Sequence, residues 1–107
     1  RAQEPACETA PMPTYVIVNA AVTDQNLLDA YRAAAAATFE GHDVTVRVSS
    51  NEAETIEGEP VGPRVVVLEF PDRAAVQTWY DSPAYQEIID MRLQSTRGFM
   101  VVVEGRS

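Results

Sequence analysis

Four short runs dense in β-branched and aromatic residues punctuate this chain, and what lies between them limits the folds open to it. Thr14 to Val22 (TYVIVNAAV) starts after Pro13 and ends at the polar Thr23-Asp24, as a buried strand does. In Asp43 to Ser50 (DVTVRVSS) Val44, Val46 and Val48 alternate with Thr45, Arg47 and Ser49, which predicts a strand with valines on one face and polar groups on the other. Arg64 to Phe70 (RVVVLEF) and Gly98 to Glu104 (GFMVVVE) read as the third and fourth strands.

The gaps between the runs are of different kinds. Between the first and second, Thr23 or Asp24 can cap a helix to about Phe39, with Leu27, Leu28, Tyr31, Ala35 and Phe39 at helical spacing and Gly41 placed to end it. The small side chains from Ala33 to Ala37 predict close packing of that helix on a sheet. Asn51 to Pro63, rich in acid, Gly and Pro, reads as a loop with a short strand expected at Thr55 to Glu57. After the third run, Asp72 caps a helix carrying Ala75, Val76, Trp79 and Tyr80. Ser82-Pro83 then breaks it and starts another with Tyr85, Ile88, Ile89, Arg92 and Leu93.

The order β, α, β, β, α, β predicts an α+β, ferredoxin-like sandwich, an antiparallel four-stranded sheet with helices on one face. The other face, rich in valine and isoleucine, needs a cover, and a second copy of the chain is the simplest one, so a homodimer is expected. At 107 residues there is length for one core. Residues 14–107 are expected to form that domain, and residues 1–13, with three prolines and no periodicity, a flexible tail. Met12 reads as a natural start, with an upstream extension before it.

Composition removes whole classes of chemistry. With 16 acidic against 8 basic residues the net charge is −8, which repels phosphate backbones and anionic lipids, so neither nucleic acid nor membrane is an expected partner. No apolar run approaches a bilayer span, the first residues lack the apolar core of a secretion signal, and the single Cys7 fits a reducing compartment; a cytoplasmic location is expected. All 8 basic residues are arginine, so no lysine is present to form a Schiff base. One His and one Cys are too few for a zinc site of those ligands, and no glycine spacing matches a phosphate loop. The expected site therefore has no metal and no cofactor and takes a small organic molecule.

Glu69 is the first candidate for catalysis, because it interrupts an apolar strand and, sharing a face with Val65 and Val67, is expected to point inward as a general acid or base. A salt bridge to an arginine is the structural alternative. Arg47 shares its strand face with Thr45 and Ser49, and Asn19 interrupts the first strand in the same way as Glu69 does the third. If the faces coincide, Asn19, Arg47 and Glu69 form a polar cluster between sheet and helices in which Arg47 binds an oxyanion, or else an Arg47–Glu69 pair only fixes the fold. His42, the sole imidazole, is either a base or an exposed partner of the helix end. Tyr15, Trp79, Tyr80, Tyr85 and Arg92 are candidates for a substrate pocket. The rings can equally be core, with Tyr85 and Arg92 pinning the two helix segments.

From the first strand onward the residues resemble the family catalogued as domain of unknown function 1330. The stretch VVVLEFPDRAAVQTWYDSPAYQEIIDMR carries most of this, in Glu69-Phe70-Pro71, Trp79-Tyr80, Ser82-Pro83, Tyr85 and Arg92. Supporting matches are YVIV at Tyr15 to Val18, Arg47, and Glu57-Gly58. The chain departs from the pattern with Val48-Ser49-Ser50 where glycines usually follow Arg47, and with Gly41-His42 for Gly-Gly, bulkier choices beside a pocket mouth. The resemblance implies a dimeric α/β barrel and no particular reaction. By fold analogy that superfamily includes cofactor-free monooxygenases, polyketide cyclases and lactone isomerases. Two functions stay open: a cofactor-independent enzyme doing acid/base chemistry on an aromatic or carbonyl-bearing substrate, and a non-catalytic ligand-binding or assembly module.

Overall fold

The computed structural model describes residues 12–106, in which the elements follow as β1 (Thr14–Val22), α1 (Gln25–Thr38), β2 (Thr45–Ser50), β3 (Arg64–Phe70), α2 (Arg73–Tyr80), α3 (Pro83–Gln86), α4 (Ile89–Ser95) and β4 (Thr96–Glu104). The strands form one antiparallel sheet in the order β2-β3-β1-β4, as the element order predicts. Residues 1–11 of the expected tail lie outside the described residues. Pro13, assigned to that tail, is part of the fold, since its carbonyl accepts the Gly105 amide at 2.7 Å.

Local chemistry sets the helix starts. The Asp24 carboxylate accepts the Leu27 amide at 3.0 Å, Asp72 that of Ala75 at 2.8 Å, and Ser82 Oγ that of Tyr85 at 3.2 Å, with Pro83 in the first turn where no amide is needed. The helix expected after Pro83 is in fact two. Ile88, at φ −112°, sits between α3 and α4 without a side-chain cap and redirects the chain. No strand forms at Thr55 to Glu57, where acid and glycine leave the loop without a pairing partner.

Register decides which side chains face the helices. Thr14 pairs with Phe70 and Val16 with Leu68, while Tyr15 pairs with Glu69 and Ile17 with Val67. Thr14, Val16, Leu68 and Phe70 therefore face the helices, and Tyr15, Ile17, Val67 and Glu69 the opposite, open side. In β2 the simple alternation fails. A bulge at Arg47 lets Val46 pair with Leu68 and Val48 with Val67, so the two valines end on opposite faces.

The core is centred on Trp79, 1% exposed, whose ring lies 5.7 Å from Phe39, 5.6 Å from Phe70 and 4.2 Å from Tyr85 between centroids. Its indole N–H donates to Thr38 Oγ at 3.0 Å, and that hydroxyl donates to the Ala35 carbonyl at 2.7 Å, so a buried donor is satisfied by the last residue of α1. Replacing Thr38 by Val keeps the volume and orphans the indole. We expect a loss of about 1–3 kcal/mol in urea unfolding with the near-ultraviolet spectrum of Trp79 otherwise native; a variant as stable as the parent would contradict this role.

Candidate functional site

Between α1 and the helix-facing side of the sheet lies a cavity of about 490 Å³. It exists because α1 packs mainly along α4 instead of lying directly on the strands. The alanine run thus has the reverse of its expected role: Ala35 is buried, whereas Ala33 and Ala36, too short to reach the strands, line open space. Val18, Val66, Leu68 and Met100 form an apolar floor, and Val46, 50% exposed on edge strand β2, marks the mouth. Ser49, in the segment that departs from the family's glycines, is part of the same wall.

One polar network is set into this wall. Tyr31 of α1 and Tyr85 of α3 share a hydrogen bond of 2.8 Å between their hydroxyls, and Arg92 Nε of α4 donates to the Tyr85 hydroxyl at 3.2 Å. Tyr31 and Arg92 line the cavity, while Tyr85 is fully buried behind them. Burial first, and then the neighbouring Tyr85, push the Tyr31 phenol well above its ordinary range, against the opposing pull of Arg92 and Arg64. Tyr31 is therefore a neutral hydrogen-bonding group at any physiological pH. Arg64, Arg32 and Asp29 complete the charged lining.

The expected residues divide into several places. Trp79, Tyr85 and Arg92 gather here, Trp79 as cavity wall and core alike. Tyr80 stacks against Trp79 and Tyr85, and together with Trp79 and Arg92 lines a neighbouring cavity of about 390 Å³. Glu69 and Arg47 do meet, at 2.7 Å between Oε1 and Nε, but on the open face of the sheet and not between sheet and helices. Glu69 shares its face with Val65 and Val67 as expected, yet that face is turned away from the cavity, and its side chain remains 27% exposed. Tyr15 stands beside it on the same face.

Asn19 shares the open face but not the cluster. It pairs with Val65, four residues along β3 from Glu69, a separation of about 13 Å. Its side chain is used up instead in holding the loop before β3: Nδ2 donates to the carbonyls of Gly62 at 2.9 Å and Arg64 at 3.2 Å, and Oδ1 accepts the Val61 amide at 2.9 Å. Gly62 is needed there, because a Cβ would sit 2.5 Å from the Ala20 carbonyl. His42 lies in the turn after α1, apart from the cavity lining. Among the described residues no group of three or more His, Cys, Asp or Glu is placed to hold a metal ion.

Tyr31 and Arg64 are not among the site residues expected from the sequence. Tyr31 stands in the apolar stripe of α1, and a tyrosine in such a stripe carries a hydroxyl that must find a partner. Arg64 shares parity with Val66, Leu68 and Phe70, and that parity is the signal that puts it on the helix side.

Sheet order, helix placement and strand direction define the class as α+β with a ferredoxin-like fold. The model of the family described as Domain of unknown function (DUF1330) matches residues 13–106, and the chain belongs to that family. No curated protein sequence matches it. Among solved structures it is similar to the RPA0582 protein of unknown function from Rhodopseudomonas palustris, with TM-score 0.74 and 13% identity, covering 100% of this chain and 96% of that one. It is also similar to SnoaB, a cofactor-independent oxygenase from Streptomyces nogalater, with TM-score 0.64 and 12% identity over 90% of this chain and 95% of that one. A third is a dimeric protein of unknown function and ferredoxin-like fold from Bacteroides fragilis, with TM-score 0.57 and 12% identity over 88% and 96%. At these identities the likeness is one of fold.

Two outcomes follow from this geometry. The unfolded chain ionises Tyr31 above the ordinary value of 10.0 while the folded chain keeps the proton. The stabilisation is therefore complete below that pH and falls above it, by up to about 1.4 kcal/mol per pH unit. Urea unfolding from pH 9 to 11 should show a shallower decline in Tyr31→Phe than in the parent; equal slopes would refute the assignment. Asn19→Ala should lose about 2–4 kcal/mol and open the 51–63 loop to limited proteolysis, whereas an unchanged cleavage pattern would show that the loop is held by other contacts.

Proposed function

We propose that this protein is a cofactor-independent enzyme that acts on an aromatic or carbonyl-bearing small molecule through its enolate or phenolate, in the cavity between α1 and the sheet. The observation that carries this reading is the Tyr31–Tyr85–Arg92 chain of hydrogen bonds set beside the apolar floor of the cavity. Arg92 donates to Tyr85, which favours Tyr85 donating in turn to Tyr31 and leaves the Tyr31 proton directed at a ligand oxygen. Neutral Tyr31 then serves as a donor that strengthens its bond as negative charge develops on that oxygen, while the guanidinium behind it supplies the field.

Asp29 is the one carboxylate among the lining residues, and it is already bonded to Gln25 at 2.9 Å. Such a site stabilises an anion better than it abstracts a proton, which suits substrates that are acidic already, such as phenols and 1,3-dicarbonyl compounds. Isomerisation, cyclisation, elimination and oxygenation of such an anion all fall within this chemistry, and a cofactor-independent oxygenase among the proteins of similar fold supports it. The same shortage of a strong base favours a second reading, a non-catalytic binding module for those compounds.

The homodimer belongs to the same proposal. Phe99, Val101 and Val103 of β4 are 47%, 44% and 46% exposed on the open face, flanked by Ile17, Val67 and Val48, a contiguous apolar surface that a second copy would cover. A protein of similar fold is described as dimeric.

A thermal-shift screen against phenols, quinols and polyketide-like aromatics is expected to return compounds that raise the melting temperature, with affinity falling about 2–10-fold in Tyr31→Phe and little changed in Glu69→Gln. Turnover of any bound compound, lost in Arg92→Gln, would decide for the enzyme, binding without turnover for the module, and no binding at all against both. Light scattering should give about twice 11.7 kDa for the parent and about that mass for Val101→Glu; a monomeric parent at micromolar concentration would remove the dimer.

A further inference from the structure

The cavity wall contains a cation that forms no ion pair with any of the described residues. Arg64, the first residue of β3, points to the helix side and is only 6% exposed. Among the described residues its side chain makes one hydrogen bond, from Nη1 to the neutral Asn51 Oδ1 at 2.8 Å. The ion pairs of the described residues do not include it: Asp29 of the same wall pairs with Arg32 at 4.0 Å, and Arg47 pairs with Glu69 at 2.7 Å on the open face of the sheet. Burial first, and then the Arg32 guanidinium, push the Arg64 pKa down, against the opposing pull of Tyr31 and Asp29.

A buried guanidinium bonded to one amide has most of its five donors unspent. None of its nitrogens is sealed away without a partner, since Thr14 Oγ1 is the one side-chain atom in that state among the described residues. Those donors keep some contact with solvent, and Arg64 is part of the cavity lining. Around them Arg32, Arg64 and Arg92 outnumber Asp29, so this wall is cationic in a chain whose net charge is −8. In so acidic a protein a local excess of positive charge facing an apolar cavity is a recognition feature, because it draws an anion to one place and repels it elsewhere.

We propose that Arg64 anchors a carboxylate of the ligand, so that the cavity selects aromatic or carbonyl-bearing acids, with the acid group at the Arg64 end and the reacting oxygen at Tyr31. The inference rests on the reading of this cavity as a small-molecule site. A planar carboxylate matches the two-donor edge of a guanidinium and supplies the missing counter-charge, while Arg32 at the rim adds to the field. A second polar anchor beside Tyr31 also fixes the orientation of a flat substrate, which a single oxygen contact cannot do.

The test uses matched pairs. Hydroxybenzoic and hydroxynaphthoic acids, each beside its own primary carboxamide, are titrated calorimetrically into the parent, Arg64→Gln and Arg64→Lys. The parent should bind acids at least tenfold more tightly than amides. Arg64→Gln should remove the acid preference, costing the acids far more affinity than the amides, and Arg64→Lys, which keeps the charge but not the paired donors, should retain part of the preference. Equal binding of acids and amides by the parent would overturn this inference while leaving the small-molecule site standing. An acid preference that persists in Arg64→Gln, with a lower melting temperature, would overturn it in favour of a structural tether to Asn51. If neither series binds, the reading of the cavity falls and the inference with it; should Arg64→Gln not fold, the parent pairs and Arg64→Lys decide alone.

Discussion

The pairing of Thr14 with Phe70 and of Tyr15 with Glu69 assigns each residue of the two central strands to one of two faces, and nearly every chemical feature of the molecule follows from that assignment. Side chains in a strand alternate with a period of two, so a slip of one residue would exchange the faces completely. What holds the register is the cost of the exchange. Phe70, Leu68 and Val16 are inserted among Trp79, Tyr85 and Val76, and a slip would offer Glu69 and Tyr15 to that core in their place. The same pairing carries Arg64 to the helix side, next to the cavity, and Glu69 to the open side, next to Arg47.

The helix layer makes the cavity through two interruptions. The first, at Ser82-Pro83, ends α2 once Trp79 is seated in the core and starts α3 with Tyr85 behind it. The second, at Ile88, lets α4 approach α1. On an unbroken helix Tyr85 and Arg92 would be two turns, about 10.5 Å, apart along the axis; here Arg92 Nε reaches the Tyr85 hydroxyl at 3.2 Å. The hydroxyls of Tyr31 and Tyr85 then bridge α1 to α3, and α1, which packs mainly along α4, leaves Ala33 and Ala36 lining open space.

Much of this was legible beforehand, and the failures have definite causes. Strand and helix order, the caps at Asp24, Asp72 and Ser82, and the grouping of Trp79, Tyr85 and Arg92 follow from short-range chemistry, which the sequence displays directly. The bulge at Arg47 does not, because an extra residue in an edge strand looks like perfect alternation until its partner is known. Glu69 was misplaced for a related reason. Parity tells which residues share a face with it, but only packing tells which face is covered, and the large Leu68 and Phe70 take the covered one. Arg64 follows from the same correction, since a residue two before Val66 and four before Leu68 must lie with them.

The sheet is one layer thick, so its two faces are not mechanically independent. Val65 and Val67 on the open side alternate in a single strand with Arg64, Val66 and Leu68, which floor and edge the cavity. Burying the open face against a second copy would fix the pleat of β3 and β1, and with it the spacing between Arg64 and the phenol network above it. Neither Glu69 nor Arg47 needs to enter the cavity to matter. Their ion pair ties edge strand β2, which bears Val46 and Ser49 of the cavity wall, to β3 just where the bulge weakens ordinary pairing. The pair is half exposed and on its own worth little, but a surface that excluded water from it would raise its strength.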